Sequence, residues 1–429
     1  MLTAACLLAW GTAGPHVGTR ASGTNGFVQT LSGTGGRNDA STLDKPYVIL
    51  VGFDGFGHDY VDRFETPNFD RIAAAGAKAD ALIPVFPSLT FPSFYSIATG
   101  MYPEHHGIVG NRVYDPDLDE SFSYQEPETV QDGRWYGGQP IWVTAETQGM
   151  VAAAYFLPGT EADIQGVRPT FWTPYDSSVP NQARVDQVLA WLELSPRSRP
   201  HMITLYFSTV DSVGHAFGPG SPQVRSAVEM VDRMLGRLVS GIRRLPYGDR
   251  VCLVLVSDHG MTTPRRDSYY AIIDTVDLRG VRSVKTGPNL SLFVPAGRGR
   301  AERLRDELNV VLPHGRAYLR EELPVHLHAR ANRRIGDLVI VADEGYDIGL
   351  RPRASEPLNG AHGWDPTVPS MHGIFLAMGP GIEAGRKVPA FESIHVYPFL
   401  AAVLELRPNA EIDGNASVLA SLVRSVPGR

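Results

Sequence analysis

The chain has 429 residues, 43% of them hydrophobic and 20% charged, with a formal net charge of −7. That length holds two or three domains around a large core, and the acidic balance speaks against a nucleic-acid scaffold, which is normally basic. Two cysteines, Cys6 and Cys252, are too few for a disulfide framework.

The opening "MLTAACLLAWGTAG" is apolar and uncharged, yet too short to span a bilayer. It resembles the apolar core of a signal peptide, and a Gly/Ser/Thr-rich tract follows it. Residues 1–43 are therefore expected to be a leader and linker, and the protein to be exported, periplasmic or secreted. No later segment reads as transmembrane. "YVILVGFDG" reads as a strand buried on both faces, as in a parallel sheet. "TPNFDRIAAAGA" reads as a helix capped by Thr66, with Pro67 at its first position. In "PVFPSLTFPSFYSIATG", Thr90 lies between two proline-marked bends. On that stretch alone it reads best as the N-cap of the helix that follows; as a nucleophile it needs an activator from elsewhere in the chain. "VAAAYFLPG", "HMITLYFSTVD" and "RVCLVLVSDHG" repeat the doubly buried strand pattern, with Cys252 as a small core residue. "NQARVDQVLAWLEL" puts Val185, Val188, Leu189 and Leu192 on one helical stripe, and "SPQVRSAVEMVDRMLGRLVSGI" aligns Val224, Val228, Val231 and Leu235.

From about Thr262 to Asn359 the chain turns Arg-rich, with the short elements "NLSLFVPAG", "RAERLRDELNVVL" and "DLVIVADEGYDI". "GIFLAMGPG" and the helical "HVYPFLAAVLEL" then resume the main body. The expectation is an α/β fold: a mostly parallel central sheet with helices on both faces, built from residues 44–261 and 360–429. Residues 262–359 are expected to form a small inserted α+β lobe.

Three of the buried strands finish in potential metal ligands. "VILVGFD" ends at Asp54, "ITLYFSTVDSVGH" supplies Asp211 and His215, and "CLVLVSDHG" supplies Asp258 and His259. Ligands bind at the carboxyl ends of strands in open parallel sheets. Carboxylates mixed with imidazoles suit Zn²⁺ better than Mn²⁺. Singly, each has a plainer reading: Asp54 before Gly55 is an ordinary turn residue. Asp211 and His215 are four apart, but Gly214, Gly218 and Pro219 argue against a helix and for loop ligands. Five such residues at three strand ends are hard to explain by turns alone. A sixth ligand is expected from "NGAHGWDPTVPSMHGIFLA", where spacing cannot separate His362 from His372.

The order of "FDGF", "FPSLTFPSFYSIATGMYPEHHGIVGN", "PIWVTAE", "STVDSVGH", "SDHGM" and "HGWDP" resembles the nucleotide pyrophosphatase/phosphodiesterase family of the alkaline phosphatase superfamily, in its bacterial form. The resemblance runs from about Lys45 to the C-terminus and implies an alkaline-phosphatase-like fold. It selects His362, the histidine of "HGxD", as ligand; Pro366 stands where many relatives have Asn. By the same resemblance one zinc is held by Asp211, His215 and His362, the other by Asp54, Asp258, His259 and the Thr90 oxygen. Such contact lowers the pKa of the hydroxyl, so Thr90 can attack phosphorus without a neighbouring histidine. A phospho-Thr90 intermediate and net retention at phosphorus follow. Asn111 in "VGNRVYDP" is expected to donate to a non-bridging oxygen, although it also reads as an Asx-turn residue.

A neutral Asn suits a diester better than a monoester, and "SLTFPSF" lacks the Cys/Ser-x-Pro-x-Arg context of sulfatases. Phe91 and Tyr206, with Tyr175 in "FWTPYDSS", are the aromatics expected to flank a nucleobase, though each also reads as core. The implied partner is a small-molecule nucleotide such as ATP, a dinucleoside polyphosphate or a dinucleotide cofactor, cleaved to a nucleoside 5′-monophosphate. The alternatives are another ester hydrolase on the same scaffold, acting on phospholipid head groups or phosphonoacetate, and a zinc-holding protein without turnover.

Overall fold

The apolar runs of the sequence assemble side by side. The computed structural model describes residues 28–29, 35–265, 267–295, 297–353 and 359–423, so most of the expected leader lies outside the described residues. The main sheet has nine strands: β1 (Val28–Gln29), β2 (Tyr47–Phe53), β3 (Ala77–Ala79), β4 (Ala152–Tyr155), β5 (Phe171–Trp172), β6 (Met202–Phe207), β7 (Val251–Val256), β8 (Phe375–Met378) and β9 (Arg386–Val388). Their spatial order is β1-β5-β4-β6-β2-β7-β8-β3-β9. The central run from β5 to β7 is parallel throughout, while β8 is antiparallel to both its neighbours. Every residue of β2, β6 and β7 is buried, which is why these strands lack polar alternation.

Helices cover both faces. Pro67–Ala75, Asn181–Leu192 and Thr209–Phe217 gather around the long helix Pro222–Arg243; Thr90–Thr99, Ile141–Thr147 and Val396–Val403 form a second group. The stripe residues Val185, Val188, Val224, Val228, Val231 and Leu235 are all buried. Ser221 caps its helix by accepting from the Val224 amide at 3.2 Å. Thr66 does not cap its own. Its hydroxyl donates to Val61 O, and the Asn68 and Phe69 amides instead donate to the buried carboxylate of Asp232, at 2.9 and 3.0 Å.

A smaller antiparallel sheet orders the strands Arg282–Thr286, Asn289–Phe293, Leu338–Val341 and Arg316–Leu319, with helix Arg298–Val311 packed on the last. It has its own apolar core, from Ile272 to Met371 and including Trp364.

Two local expectations fail where the site is built. Asp211 and His215 lie on a helix, Thr209–Phe217, and not in a loop. Gly214 does not break it, because the helix packs onto Met261: a Cβ at Gly214 would stand 2.4 Å from the Met261 sulfur. Gly218, at φ +84°, ends it. Thr90 is the first residue of its helix and Leu89 takes the cap position.

Candidate active site

Asp54 directly follows β2, Asp258 and His259 follow β7, and the helix after β6 carries Asp211 and His215. These three strands are neighbours, so five polar side chains meet at one carboxyl-terminal edge. The sixth arrives from the far side on a glycine-rich loop. Reciprocal bonds of 2.9 Å between Thr262 and Ala361 tie that loop to the end of β7, delivering His362 beside His215.

The side chains form two groups, Asp211–His215–His362 and Asp54–Asp258–His259. In the first, His215 Nε2 is 3.3 Å from Asp211 Oδ1 and 3.2 Å from His362 Nε2. In the second, His259 Nε2 is 3.0 Å from Asp258 Oδ2 and 3.5 Å from Asp54 Oδ1. The groups adjoin, the His259 and His362 rings stacking at 3.5 Å.

The far ring nitrogens decide the protonation. Nδ1 of His215, His259 and His362 meets the carbonyl oxygens of Gly360, Gly260 and Ser88 at 2.7, 2.9 and 2.8 Å. A carbonyl only accepts, so Nδ1 carries a proton, and in the neutral ring each Nε2 presents a bare lone pair. Lone pairs therefore face lone pairs and carboxylate oxygens. Asp54 Oδ1, Asp211 Oδ1, Asp258 Oδ2 and His259 Nε2 are buried without a hydrogen-bond partner among the described residues. Such convergence is unfavourable unless cations lie between the atoms, and the donor set fits divalent metal. Burial, then the neighbouring Asp258 and Asp211 charges, push the Asp54 carboxyl well above the usual range. Burial and then Asp211 do the same to Asp258. Burial, then His259 and His215, hold His362 well below the usual imidazole range. Positive charge at the centre would offset the mutual repulsion of the carboxylates.

Thr90 lines the same cavity, of about 320 Å³, together with Asp54, Asp211, His215 and His362. Its hydroxyl has no hydrogen-bond partner among the described residues. The turn before it is anchored to the His362 loop twice, since Ser88 Oγ also donates to Trp364 O at 2.6 Å. Asn111 accepts from the Phe91 amide at 3.0 Å through Oδ1, which leaves its two Nδ2 protons as donors at the cavity.

Phe91, Tyr175 and Tyr206 all line this cavity with Asn111. Tyr206 is buried and donates to Asp54 Oδ2. Tyr175 is 45% exposed, with its ring 6.1 Å from Tyr206. His372, the other sequence candidate, stays outside the cluster; its Nε2 meets Pro366 O at 3.0 Å. Two polar cavity residues carried no motif. Tyr124, 44% exposed and 6.2 Å from Phe91, follows a short hairpin whose placement only the fold reveals. Glu161 accepts from the Tyr175 amide at 3.0 Å, and burial raises its carboxyl above the usual range. Its place a few residues beyond the end of β4 was an available signal. An adjoining cleft shares Asn111, Tyr124, His215 and His362 and adds Arg112, Lys285 and Arg353, the last two pairing with Asp347.

The sequence profile described as "Type I phosphodiesterase / nucleotide pyrophosphatase" matches residues 48–365. Venom phosphodiesterase CdcPDE of Crotalus durissus collilineatus is 34% identical over 94% of this chain and 49% of its own length. Human ectonucleotide pyrophosphatase/phosphodiesterase family member 1 is 34% identical over 85% of this chain and 40% of its own. The chain thus spans about half the length of the curated relatives it matches. The structure of murine ectonucleotide pyrophosphatase/phosphodiesterase 5 superposes with a TM-score of 0.83 at 31% identity, covering 88% of this chain and 100% of that one. An inactive threonine-to-alanine form of that protein, in complex with AMP, gives 0.83 at 30%, covering 89% and 100%.

Proposed function

Since the chain belongs to the type I phosphodiesterase/nucleotide pyrophosphatase family, we propose that it is a metal-dependent hydrolase that cleaves nucleotide phosphoanhydride and phosphodiester bonds and releases nucleoside 5′-monophosphates. The observation that carries the reading is the pair of acceptor clusters facing inward beside an otherwise unassisted Thr90 hydroxyl. Asp211, His215 and His362 would hold one Zn²⁺, and Asp54, Asp258 and His259, with the Thr90 oxygen, the other. When bound, the ions supply the charge that lets an alcohol ionise near neutral pH and that neutralises the phosphoryl oxygens.

The chain's own residues do the rest. Thr90 Oγ1, its proton lost to solvent, attacks the phosphorus that bears the nucleoside. The bond from phosphorus to the anhydride or ester oxygen on the other side breaks, and the leaving phosphate or alcohol departs with that electron pair. The nucleoside phosphate stays as a phospho-Thr90 ester. Asn111 Nδ2 donates to a non-bridging oxygen; the amide is held for this by the Phe91 N–H. Phe91, Tyr175 and Tyr206 offer flat faces to a nucleobase, each such stack contributing about 1–3 kcal/mol. Arg112, Lys285 and Arg353 in the adjoining cleft favour an anionic polyphosphate on the leaving side. Water then opens the phospho-Thr90 bond from the opposite direction, giving net retention at phosphorus.

Export, to a periplasm or out of the cell, accords with relatives named as venom enzymes and ectoenzymes. Among the described residues no helix is long and apolar enough to cross a membrane.

The test is Thr90→Ala. It is expected to abolish hydrolysis of a nitrophenyl-nucleotide diester while two zinc ions remain bound by metal analysis. Activity surviving the substitution overturns the nucleophile. A wild-type preference for nitrophenyl phosphate or phosphonoacetate overturns the substrate class, and intact metal without any turnover reduces the protein to a zinc binder.

A further inference from the structure

Six side chains face the two proposed cation positions, and what holds each from behind differs. His215, His259 and His362 are oriented by backbone carbonyls of Gly360, Gly260 and Ser88. Asp258 Oδ1 accepts from the Gly55 amide at 3.1 Å. Asp211 Oδ1 has no hydrogen-bond partner among the described residues, and Asp54 differs from the other four in that its orienting partner is a side chain, the Tyr206 hydroxyl. The carboxylate can only accept when it binds metal, so the tyrosine donates. With Oδ2 taken, Oδ1 is left to face His259 Nε2.

Tyr206 is itself tightly placed. Parallel pairing sets it opposite Gly52, two residues before Asp54, so both side chains leave the same face of the sheet. Its ring meets Phe94 edge-on at 5.5 Å, and its carbonyl accepts from the buried Arg184 guanidinium at 2.9 Å.

We propose that Tyr206 is a positioning residue for one metal only: its hydroxyl holds Asp54 so that a single oxygen is presented to the cation shared with Asp258 and His259. The inference rests on the metal pair proposed above and goes beyond the place of Tyr206 beside the nucleobase. The ring and the hydroxyl then have separable roles, since Tyr206→Phe keeps the flat face and removes the donor. Losing an outer partner of this kind typically lowers metal affinity about 10–100-fold.

The experiment titrates chelator-stripped protein with Zn²⁺ against a chromophoric chelator, in wild type, Tyr206→Phe, Asp54→Asn and the double variant, with Co²⁺ absorption reporting each site's coordination. Expected are two tight ions in wild type. In Tyr206→Phe one is weakened ten- to a hundredfold and the other unchanged. In the double variant Tyr206→Phe costs nothing further once Asp54 is replaced, because its effect passes through that carboxylate. A merely structural tyrosine would weaken both ions or add its loss to that of Asp54→Asn. Either result overturns the proposal, as does wild-type affinity at both sites in Tyr206→Phe. Failure of wild type to bind two ions would instead strike the metal reading itself, and is seen before any variant is compared.

Discussion

Gly55 touches three of the six proposed ligands without being one of them, so it probes the site while leaving its chemistry unaltered. It follows Asp54, its amide donates to Asp258 Oδ1 at 3.1 Å, and its α-carbon abuts the start of the Asp211 helix. A Cβ there would stand 2.8 Å from Asp211 Cα, 2.9 Å from its Cβ and 3.1 Å from its Oδ1, at a φ of +64°. Asp211 cannot retreat freely, because its amide donates to Asp54 O at 3.1 Å. Relieving the clash needs about 0.6 Å of movement, several times the roughly 0.2 Å that metal–ligand distances tolerate. Left-handed backbone at a non-glycine costs about 1–3 kcal/mol, and overpacking about 1–3 kcal/mol more. With an unfolding entropy of about 2.1 cal/mol/K per residue, Gly55→Ala should lower Tm by roughly 2–7 °C. It should also weaken both ions at least about tenfold by competition with a chelator, and turnover should fall with them. Gly166→Ala is the control, since Gly166 also has positive φ, +77°, but nothing within 4 Å of its Cβ; it should shift Tm alone. If Gly55→Ala retained wild-type affinity for two ions, the shared-ligand geometry would be wrong.

Buried histidines supply two more tests. His362→Ala should remove one bound ion and turnover, whereas His372→Ala should keep both, because His372 lies in neither group and its Nε2 meets Pro366 O; metal counting on the two variants decides, and the reverse pattern would show that the wrong histidine was chosen. His106 is fully buried, its Nδ1 accepting from the Ile108 amide and its Nε2 meeting Ser96 Oγ at 2.9 Å. Burial lowers its pKa from 6.5 to about 3. The unfolded chain therefore takes up the proton first as pH falls through 6.5, and the contribution to stability, full above that pH, is lost progressively toward pH 3. At pH 5 the loss is about 2 kcal/mol. Urea unfolding at pH 7.5 and pH 5, with chelator throughout, should show that much less pH dependence in His106→Asn than in wild type; parallel losses would refute the assignment.

The sheet was legible because its strands are buried on both faces, and an unbroken apolar run as short as "YVILVGF" suits a central parallel strand better than a helix. The helix that carries Asp211 and His215 was not. Gly214 and Gly218 looked like breakers, yet Gly214 is glycine because Met261 presses on that turn, a contact between segments 47 residues apart that spacing cannot show. The same limit hid Tyr124, whose hairpin reaches the cavity only through tertiary packing. It also left His362 and His372 equivalent until a resemblance separated them. Thr66 shows the converse error: the local cap signal was sound, but Asp232 on a neighbouring helix satisfies the amides better.

The convergence of Asp54, Asp258 and His259 was readable from order alone because each sits within three residues of a strand end. In a parallel sheet adjacent strands end together, so residues distant in sequence converge without needing local motifs. The fold then fixes their orientation through the main chain: four of the six proposed ligands are braced by backbone groups of Gly55, Gly260, Gly360 and Ser88. Backbone braces survive side-chain change, so the geometry of those four belongs to the architecture. Asp54, braced by Tyr206, does not share that insurance. Its failure mode is correspondingly specific: a chain with this fold, all six ligands and Thr90, but no donor at position 206, should retain the Asp211–His215–His362 ion and hold the other loosely.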